Sequence, residues 1–410
     1  MSTDQIFARR WSVGALALSA AIGLTGAPAL AKGTSTGKHK GRPSGASTLY
    51  VSPTGKGSTC AKKAPCKTID AALAKAKPGA TIMVAKGTYR EEVMIDKKVS
   101  LIGSGHPTIE AKGKGNGVKI AGPASAGSRV SGFVVQGASF EGILAVSTSH
   151  VQISGNTVQG NDLGAEAKHL LGECAPQGPV PGDCGEGLHL MSVTHSRVDH
   201  NVVRHNAGGI LLTDELGPTA HDQIDHNKVM DNAYDCGITL ASHSTTAVSE
   251  GKPQPSRGGI YDNLILDNIS NGNGLKTGAG AGILLAAAAP GGAAYDNVVK
   301  GNTAEGDGMA GVVLHSHAPN QDLNANKIVD NTLVHDALAG DKGKPGDEDA
   351  GVSGTAGIII WSAVGKVEGI TITGNTIKDV HYGIWTKNSV KKVSRKANRF
   401  VKVTVPVTQM

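Results

Sequence analysis

The sequence predicts an all-β solenoid, and three observations carry that prediction. A phrase of Gly followed by an apolar strand recurs, a second phrase of Asn-x-apolar-x-x-Asn falls between its copies, and 57 glycines accompany only 3% aromatic residues. The first phrase stands at Gly142 (GILAVS), Gly187 (GLHLMS), Gly209 (GILLTD) and Gly237 (GITLAS), then at Gly282 (GILLAA), Gly311 (GVVLHS), Gly357 (GIIIWS) and Gly383 (GIWTKN). The second begins at Asn156, Asn201, Asn227, Asn263, Asn297 and Asn326, with a degenerate copy at Asn375. Gly187 and Gly209 are 22 residues apart. A unit of that length, made of short β segments joined by Gly and Asn turns, cannot bury its apolar face alone and must stack on its neighbours. With so few aromatics the core is built of thin layers of Val, Ile, Leu and Ala. The L-x-x-L-x-L register of a leucine-rich repeat is absent, and a β-propeller needs about twice the repeat length.

Taken in order, the chain opens with Arg9-Arg10 before an apolar run from Trp11 to Ala27, then Pro28 and Ala29-Leu30-Ala31. That is the pattern of an export signal over residues 1–31, and the twin arginine fits the Tat route. An uncleaved anchor is the rival, weakened by the Gly, Ser and Thr that interrupt a run of barely membrane-spanning length. Residues 32–47 read as a flexible basic linker, 48–402 as the solenoid and 403–410 as a C-terminal tail. Cysteine usage agrees with export, because Cys60 with Cys66 and Cys174 with Cys184 each bracket a short loop that a disulfide can close in an oxidising compartment. Cys236 is left over and reads as a buried, inert thiol.

Net charge is +6, yet residues 141–386 hold 13 Lys/Arg against 28 Asp/Glu, which leaves the ends strongly basic. The basic ends read as solvated surface, or as a contact with an anionic cell envelope. Nothing in the sequence suggests nucleic acid.

The repeats and the stretch from Leu49 to Gly103, which contains ATIMVAKGTY, resemble the right-handed parallel β-helix proteins of the pectin-lyase-like superfamily. The resemblance implies a single-stranded right-handed parallel β-helix over roughly residues 49–402. It also implies a capping helix at Thr68–Lys77 over the N-terminal end of the core. It implies fold far more than activity, because one scaffold hosts many functions.

The long intervals between repeats lie just before the Gly-apolar strand (162–185, 270–280, 336–355) or just after it (216–222, 245–257, 287–293). Loops clustered on one face of a rigid scaffold build sites. The outer face of this strand is therefore the expected floor of a cleft. Strand alternation sends Gly+1 and Gly+3 inward and Gly+2 and Gly+4 outward, and Gly−2 and Gly+6 also outward if the strand extends that far. Outward positions then include His189, Thr239, His315 and Trp361, together with Glu215, Asp235, His243 and His317.

Asp235 with Glu215 is a candidate carboxylate pair for glycoside hydrolysis, and His189 or His243 a candidate acid or base for β-elimination from a uronic acid. Asp214 is the neighbour of Glu215, and the turn decides which of the two faces the cleft. Asp214, Thr239, His315 and Trp361 are candidate substrate contacts, Trp361 through stacking on sugar. His315 and His317 place two imidazoles on one side of a strand, a pattern that binds transition metals, and Met191 near His189 suits copper. The acidic segment Asp341 to Gly351 offers carboxylates to Ca²⁺ but has no recognised loop spacing. The floor carries no Arg or Lys, and the NTD, GHG and RIK motifs of polygalacturonases are absent. A neutral or weakly charged glycan is thus expected over a strongly polyanionic one. The resulting expectation is an exported β-helix protein that binds a polysaccharide and cleaves it, by hydrolysis in preference to elimination. A non-catalytic envelope-binding module and an exported copper-handling β-helix are the rivals.

Overall fold

The computed structural model describes residues 47–161, 186–278, 280–338, 345–347, 352–387 and 389–410. The export signal, nearly all of the basic linker, the Cys174–Cys184 pair and most of Asp341 to Gly351 lie outside these residues. Successive coils stack in parallel register to form a right-handed β-helix with three faces. One face is a 12-stranded parallel sheet from Thr48–Val51 to Ser394–Lys396. A second carries three-residue strands such as Thr157–Gln159, Val202–Arg204 and Lys228–Met230. The third carries the Gly-apolar strands Ile143–Val146, Glu186–Met191, Gly208–Thr213, Ile238–Ser242, Ile283–Ala287, Val312–Ser316 and Ala356–Ser362, each paired with the next. Two earlier coils, Val93–Ile95 and Val118–Ala121, precede Ile143 on this face. The phrase at Gly117 (GVKIA) is thus a further repeat.

The core is the predicted aliphatic column. In the coil that starts at Glu186, Leu188, Leu190, Val193, Val198 and Val203 are all completely buried. Burying each is worth roughly 1.5–3 kcal/mol, and only the neighbouring coils supply the surface to bury it against.

Asn ladders tie the corners together. In the longest, Asn156, Asn201, Asn227, Asn268, Asn302, Asn331, Asn375 and Asn398 lie in line. Each Oδ1 after the first accepts from both the backbone N–H and the Nδ2 of the preceding rung. The residue before a rung turns the corner in the left-handed region, as at His200 (φ 56°), His226 (φ 54°) and Asp267 (φ 52°). His and Asp tolerate that region better than most side chains.

The Asn phrases are not all equivalent. The phrases at Asn156, Asn201 and Asn227 run from the long ladder to a second one through Asn161, Asn206 and Asn232. Those at Asn263, Asn297 and Asn326 begin on a third ladder and end on the long one. Strands on both adjoining faces are three residues long between corners, so a five-residue spacing fits either face.

At the N-terminus a helix spans Ile69–Leu73, shorter than the expected Thr68–Lys77. Thr68 caps it by accepting the Ala71 N–H, and Ile69, Ala72 and Leu73 are buried. Cys60 and Cys66 form a disulfide. At the other end Arg399–Gln409 pairs along Thr376–Thr386, so residues 403–409 are the last strand and not a tail. Among the described residues no helix is long and apolar enough to cross a membrane.

Candidate functional site

The glycine that opens each strand sets the geometry of the floor. A Cβ on Gly142 would lie 2.7 Å from Asn161 Nδ2 and collide with Val158, and one on Gly187 would meet Val203 and Asn206 in the same way. Glycine is required because the backbone presses against the next face of the core. Gly142 and Ile143 therefore both face inward, and alternation slips by one residue. In the coils of Gly142 and Gly187 the side chain brought to the outer face before the strand is Gly−1, not the Gly−2 that strict alternation gives, whereas in the coil of Gly237 the Gly−2 residue Asp235 also reaches it. Glu141 and Glu186 occupy the Gly−1 position.

These two glutamates were missed by alternation, although the repeated Glu-Gly of FEGILAV and GEGLHLM was a visible signal. Glu141 Oε1 is 3.2 Å from His189 Nδ1, and His189 Nε2 is 2.8 Å from Thr213 Oγ1. Glu141, Glu186 and His189 are the only group of three or more metal-ligating side chains among the described residues, their ligand atoms all within 4.8 Å of one another.

One coil further on, Glu215 and His243 meet, with Nδ1 2.7 Å from Oε1. The turn resolves the ambiguity between Asp214 and Glu215. Asp214 is buried under the turn, accepting from Ser242 Oγ and from the backbone N–H groups of His243, Ser244 and Gly259. Burial pushes its carboxyl above the ordinary range in spite of those four bonds. Its contacts are those of a structural acid that holds the strand end carrying His243. Glu215 points the other way, onto the outer face, with its side chain 11% exposed. Burial alone would raise its carboxyl, but the bond and charge of His243, helped by His189 and Thr213, bring it below the ordinary value. His189, Thr213, Glu215 and His243 thus form one polar chain across adjacent coils.

Asp235 is half-buried, accepts from the Cys236 N–H, and lies beside Glu186. A Cβ on Gly208 would sit 3.0 Å from Glu186 Oε1 and 3.2 Å from Asp235 Cβ, so the bare backbone there makes room for both acids. Next to Asp235, the half-buried Tyr234 is covered by Lys276, whose Nζ lies 3.2 Å from the phenol oxygen and 4.8 Å from the ring centroid. This brings the rim a cation and an aromatic ring that the sequence reading did not pair. Thr239 lies on the floor and is buried, as is Cys236, whose thiol burial pushes far above its ordinary pKa.

The C-terminal half of the floor is not the open surface expected. Val313, Ile359, Trp361 and Trp385 point outward from the β-helix, yet Met309 and Val352 pack with them into a second apolar cluster. Trp361 is 3% exposed and its ring meets His315 and His317 edge-on, so it offers no free face to a sugar. His315 and His317 do lie side by side, with ring centroids 4.4 Å apart. Burial, reinforced by His317, pushes the His315 imidazole well below its ordinary pKa. Among the described residues no third His, Cys, Asp or Glu completes a cluster with them.

Fold and floor together define the class: the chain is a right-handed parallel β-helix protein, similar to those of the pectin-lyase-like superfamily. The family described as right handed beta helix region matches residues 98–252, and the one described as periplasmic copper-binding protein (NosD) matches residues 177–343. No curated protein matches the chain in sequence. Among solved structures, a family 28 exopolygalacturonase of Yersinia enterocolitica is 10% identical with a TM-score of 0.52, covering 89% of this chain and 77% of that one. The A-module of the mannuronan C-5 epimerase AlgE4 of Azotobacter vinelandii is 16% identical with a TM-score of 0.48, over 87% of this chain and 97% of that one. Likeness at these identities shows the fold alone.

Proposed function

We propose that this is an exported β-helix protein that binds a polysaccharide on the outer face of its Gly-apolar strands and cleaves it. The observation that carries the reading is the Glu215–His243 pair at 2.7 Å, embedded in a polar chain with His189 and reaching the surface at Glu215. The buried imidazole holds Glu215 in place through Nδ1 and keeps it charged, and Glu215, the member of the pair that reaches solvent, is the group that meets the substrate. Asp235 is the second carboxylate that hydrolysis needs, and Tyr234 with Lys276 forms the rim against which a sugar ring rests. The structural neighbours named above include enzymes of polysaccharides, which agrees with a glycan substrate. Hydrolysis is preferred over elimination because Glu215 and Asp235 supply a carboxylate pair, while the cations of this face, Lys119 and Lys276, stand on the Gly117 coil and at the rim. The short helix at Ile69–Leu73 closes the N-terminal end of the core in this reading.

The test is incubation of the mature chain with neutral and acidic polysaccharides, read for new reducing ends and for the ultraviolet absorbance of unsaturated uronates. Reducing ends without absorbance support hydrolysis, and both signals together establish a lyase. Glu215→Gln and His243→Gln are each expected to lower the rate by roughly 10²–10⁴-fold. Full activity in both variants would refute the assignment. A second reading, copper handling, is favoured by the match to the periplasmic copper-binding family across residues 177–343. Copper bound with no glycan turnover would support it.

A further inference from the structure

We propose that Glu141, Glu186 and His189 form a buried binding site for one divalent transition cation of the Zn²⁺ type. The site goes beyond the glycan reading, although His189 belongs to both.

Three adjacent features build it. First, Glu141 and Glu186 sit one above the other on adjacent coils, where the Gly142 N–H bonds to the Glu186 carbonyl, and they are only 1% and 2% exposed. Two stacked carboxylates removed from water repel each other unless a positive charge lies between them. Second, Glu141 Oε2 is buried and has no hydrogen-bond partner among the described residues, while Oε1 faces His189. An unsatisfied carboxylate oxygen in such a place is a ligand atom awaiting its cation. Third, His189 is 2% exposed and its far nitrogen, Nε2, is fixed by Thr213 Oγ1 at 2.8 Å. Ligating imidazoles are held in this way: the nitrogen away from the metal donates to a neighbour, which sets the tautomer and leaves Nδ1 its lone pair.

The dimensions fit. Metal–ligand bonds of about 2.0–2.2 Å place tetrahedral ligands roughly 3.4 Å apart, and His189 Nδ1 lies 3.2 Å from Glu141 Oε1. The ligand atoms lie within 4.8 Å of one another, so a small side-chain rotation brings the most distant pair onto a common ion. One imidazole and two carboxylates suit a borderline divalent ion. Calcium takes six to eight oxygen ligands at about 2.3–2.6 Å, and Cu⁺ prefers sulfur. The chemical rival is a proton shared between the two glutamates.

The experiment uses the full mature chain, stripped with chelator and titrated with Zn²⁺, with bound metal measured by elemental analysis and calorimetry. The expected result is one Zn²⁺ per chain, a Tm that rises with Zn²⁺ concentration, and an affinity lowered by about tenfold or more in both Glu141→Gln and Glu186→Gln. Gln matches Glu in size and stands in for the protonated acid, so these variants fold even where the glutamates only share a proton. His315→Ala, outside the cluster, is expected to bind Zn²⁺ as the parent does. No saturable binding in the parent, or binding unchanged in both Gln variants, would overturn the proposal. Loss of binding in His315→Ala alone would move the site to the His315–His317 pair and overturn it equally.

Discussion

The second Asn ladder ends in two acids, and that ending makes stability depend on pH. Asn161, Asn206, Asn232 and Asn273 are its rungs, each handing its Nδ2 to the next Oδ1. The next rung is Asp307, whose Oδ1 accepts from Asn273 N at 2.7 Å and Nδ2 at 3.0 Å. Its own N–H donates to Asp336 Oδ1 at 3.1 Å, but it has no amide group to make the side-chain bond of an Asn rung. Both acids are fully buried. Burial pushes the Asp307 carboxyl from 3.8 to about 7, and burial together with the charge of Asp307 pushes Asp336 well above its ordinary value.

The sign follows from linkage. A carboxyl that keeps its proton up to about pH 7 when folded, but releases it near 4 when unfolded, stabilises the fold fully below pH 4. That contribution is lost as pH rises through 7. Between pH 5 and 7 the slope is roughly 1.4 kcal/mol per pH unit, so Asp307 alone costs about 3 kcal/mol by pH 8. Asp307→Asn restores the rung and removes that dependence. The variant is expected to be more stable than the parent at pH 8 by a similar amount, and to differ much less at pH 5. Urea unfolding followed by circular dichroism at the two pH values measures both. A parent midpoint unchanged between pH 5 and 8, or a variant less stable than the parent at pH 8, would refute the reasoning.

Two further substitutions test the scaffold. Asn227→Ala would strand the N–H and Nδ2 of Asn201 and take the Nδ2 donor from Val198 O and Asp225 O, while Asn268 Oδ1 keeps the backbone N–H of residue 227. At about 1–3 kcal/mol for each unsatisfied buried group, with some relaxation, a loss of about 4 kcal/mol in urea unfolding is expected. A loss under about 1 kcal/mol would mean that water replaces the rung. In Gly209→Ala the new methyl would meet the Gly237 carbonyl and lie 2.5 Å from Val229 Cγ1. A backbone oxygen cannot swing aside, so destabilisation above about 3 kcal/mol or failure to fold is expected. A normal Tm for this variant would show that Gly209 is not there for close approach.

The solenoid was legible because its two phrases report period and corner directly. The inward Gly+1 and Gly+3 positions were legible for the same reason, as Ile143, Ala145, Leu188 and Leu190 show. His189 followed from alternation on the C-terminal side of the glycine. Glu141 and Glu186 did not, since the close approach at Gly142 and Gly187 shifts the alternation by one residue, and no local propensity announces such a slip. The roles of Asp214 and Glu215 rest on a turn whose anchors, Ser242, Ser244 and Gly259, come from the next coil and the loop after it. Trp361 looked like a sugar platform because outward was equated with exposed. The groups that meet its ring, His315, His317 and Lys387, come from the coils on either side, and the sequence does not announce that they fold onto it.

The row of residues just before each glycine explains why the polar groups gather where they do. From Gly142 to Gly357 it runs Glu141, Glu186, Gly208, Cys236, Ala281, Ala310 and Ala356. Small apolar side chains from Ala281 onward let Met309 and Val352 close down on Val313, Ile359 and Trp385, which removes that half of the floor from solvent. Before Gly208 the row is acidic, and a buried carboxylate cannot be covered by methyl groups without a partner. Histidine and threonine supply those partners, so His189 and Thr213 follow from the presence of Glu141. Gly208 lies at the changeover, where the missing side chain leaves space beside Glu186 and Asp235. A ligand approaching this face therefore meets Asp235 and Glu215, the least buried acids of the group, with Tyr234 and Lys276 at the edge. Filling the gap with Gly208→Ser would close that approach while leaving the Glu215–His243 pair intact.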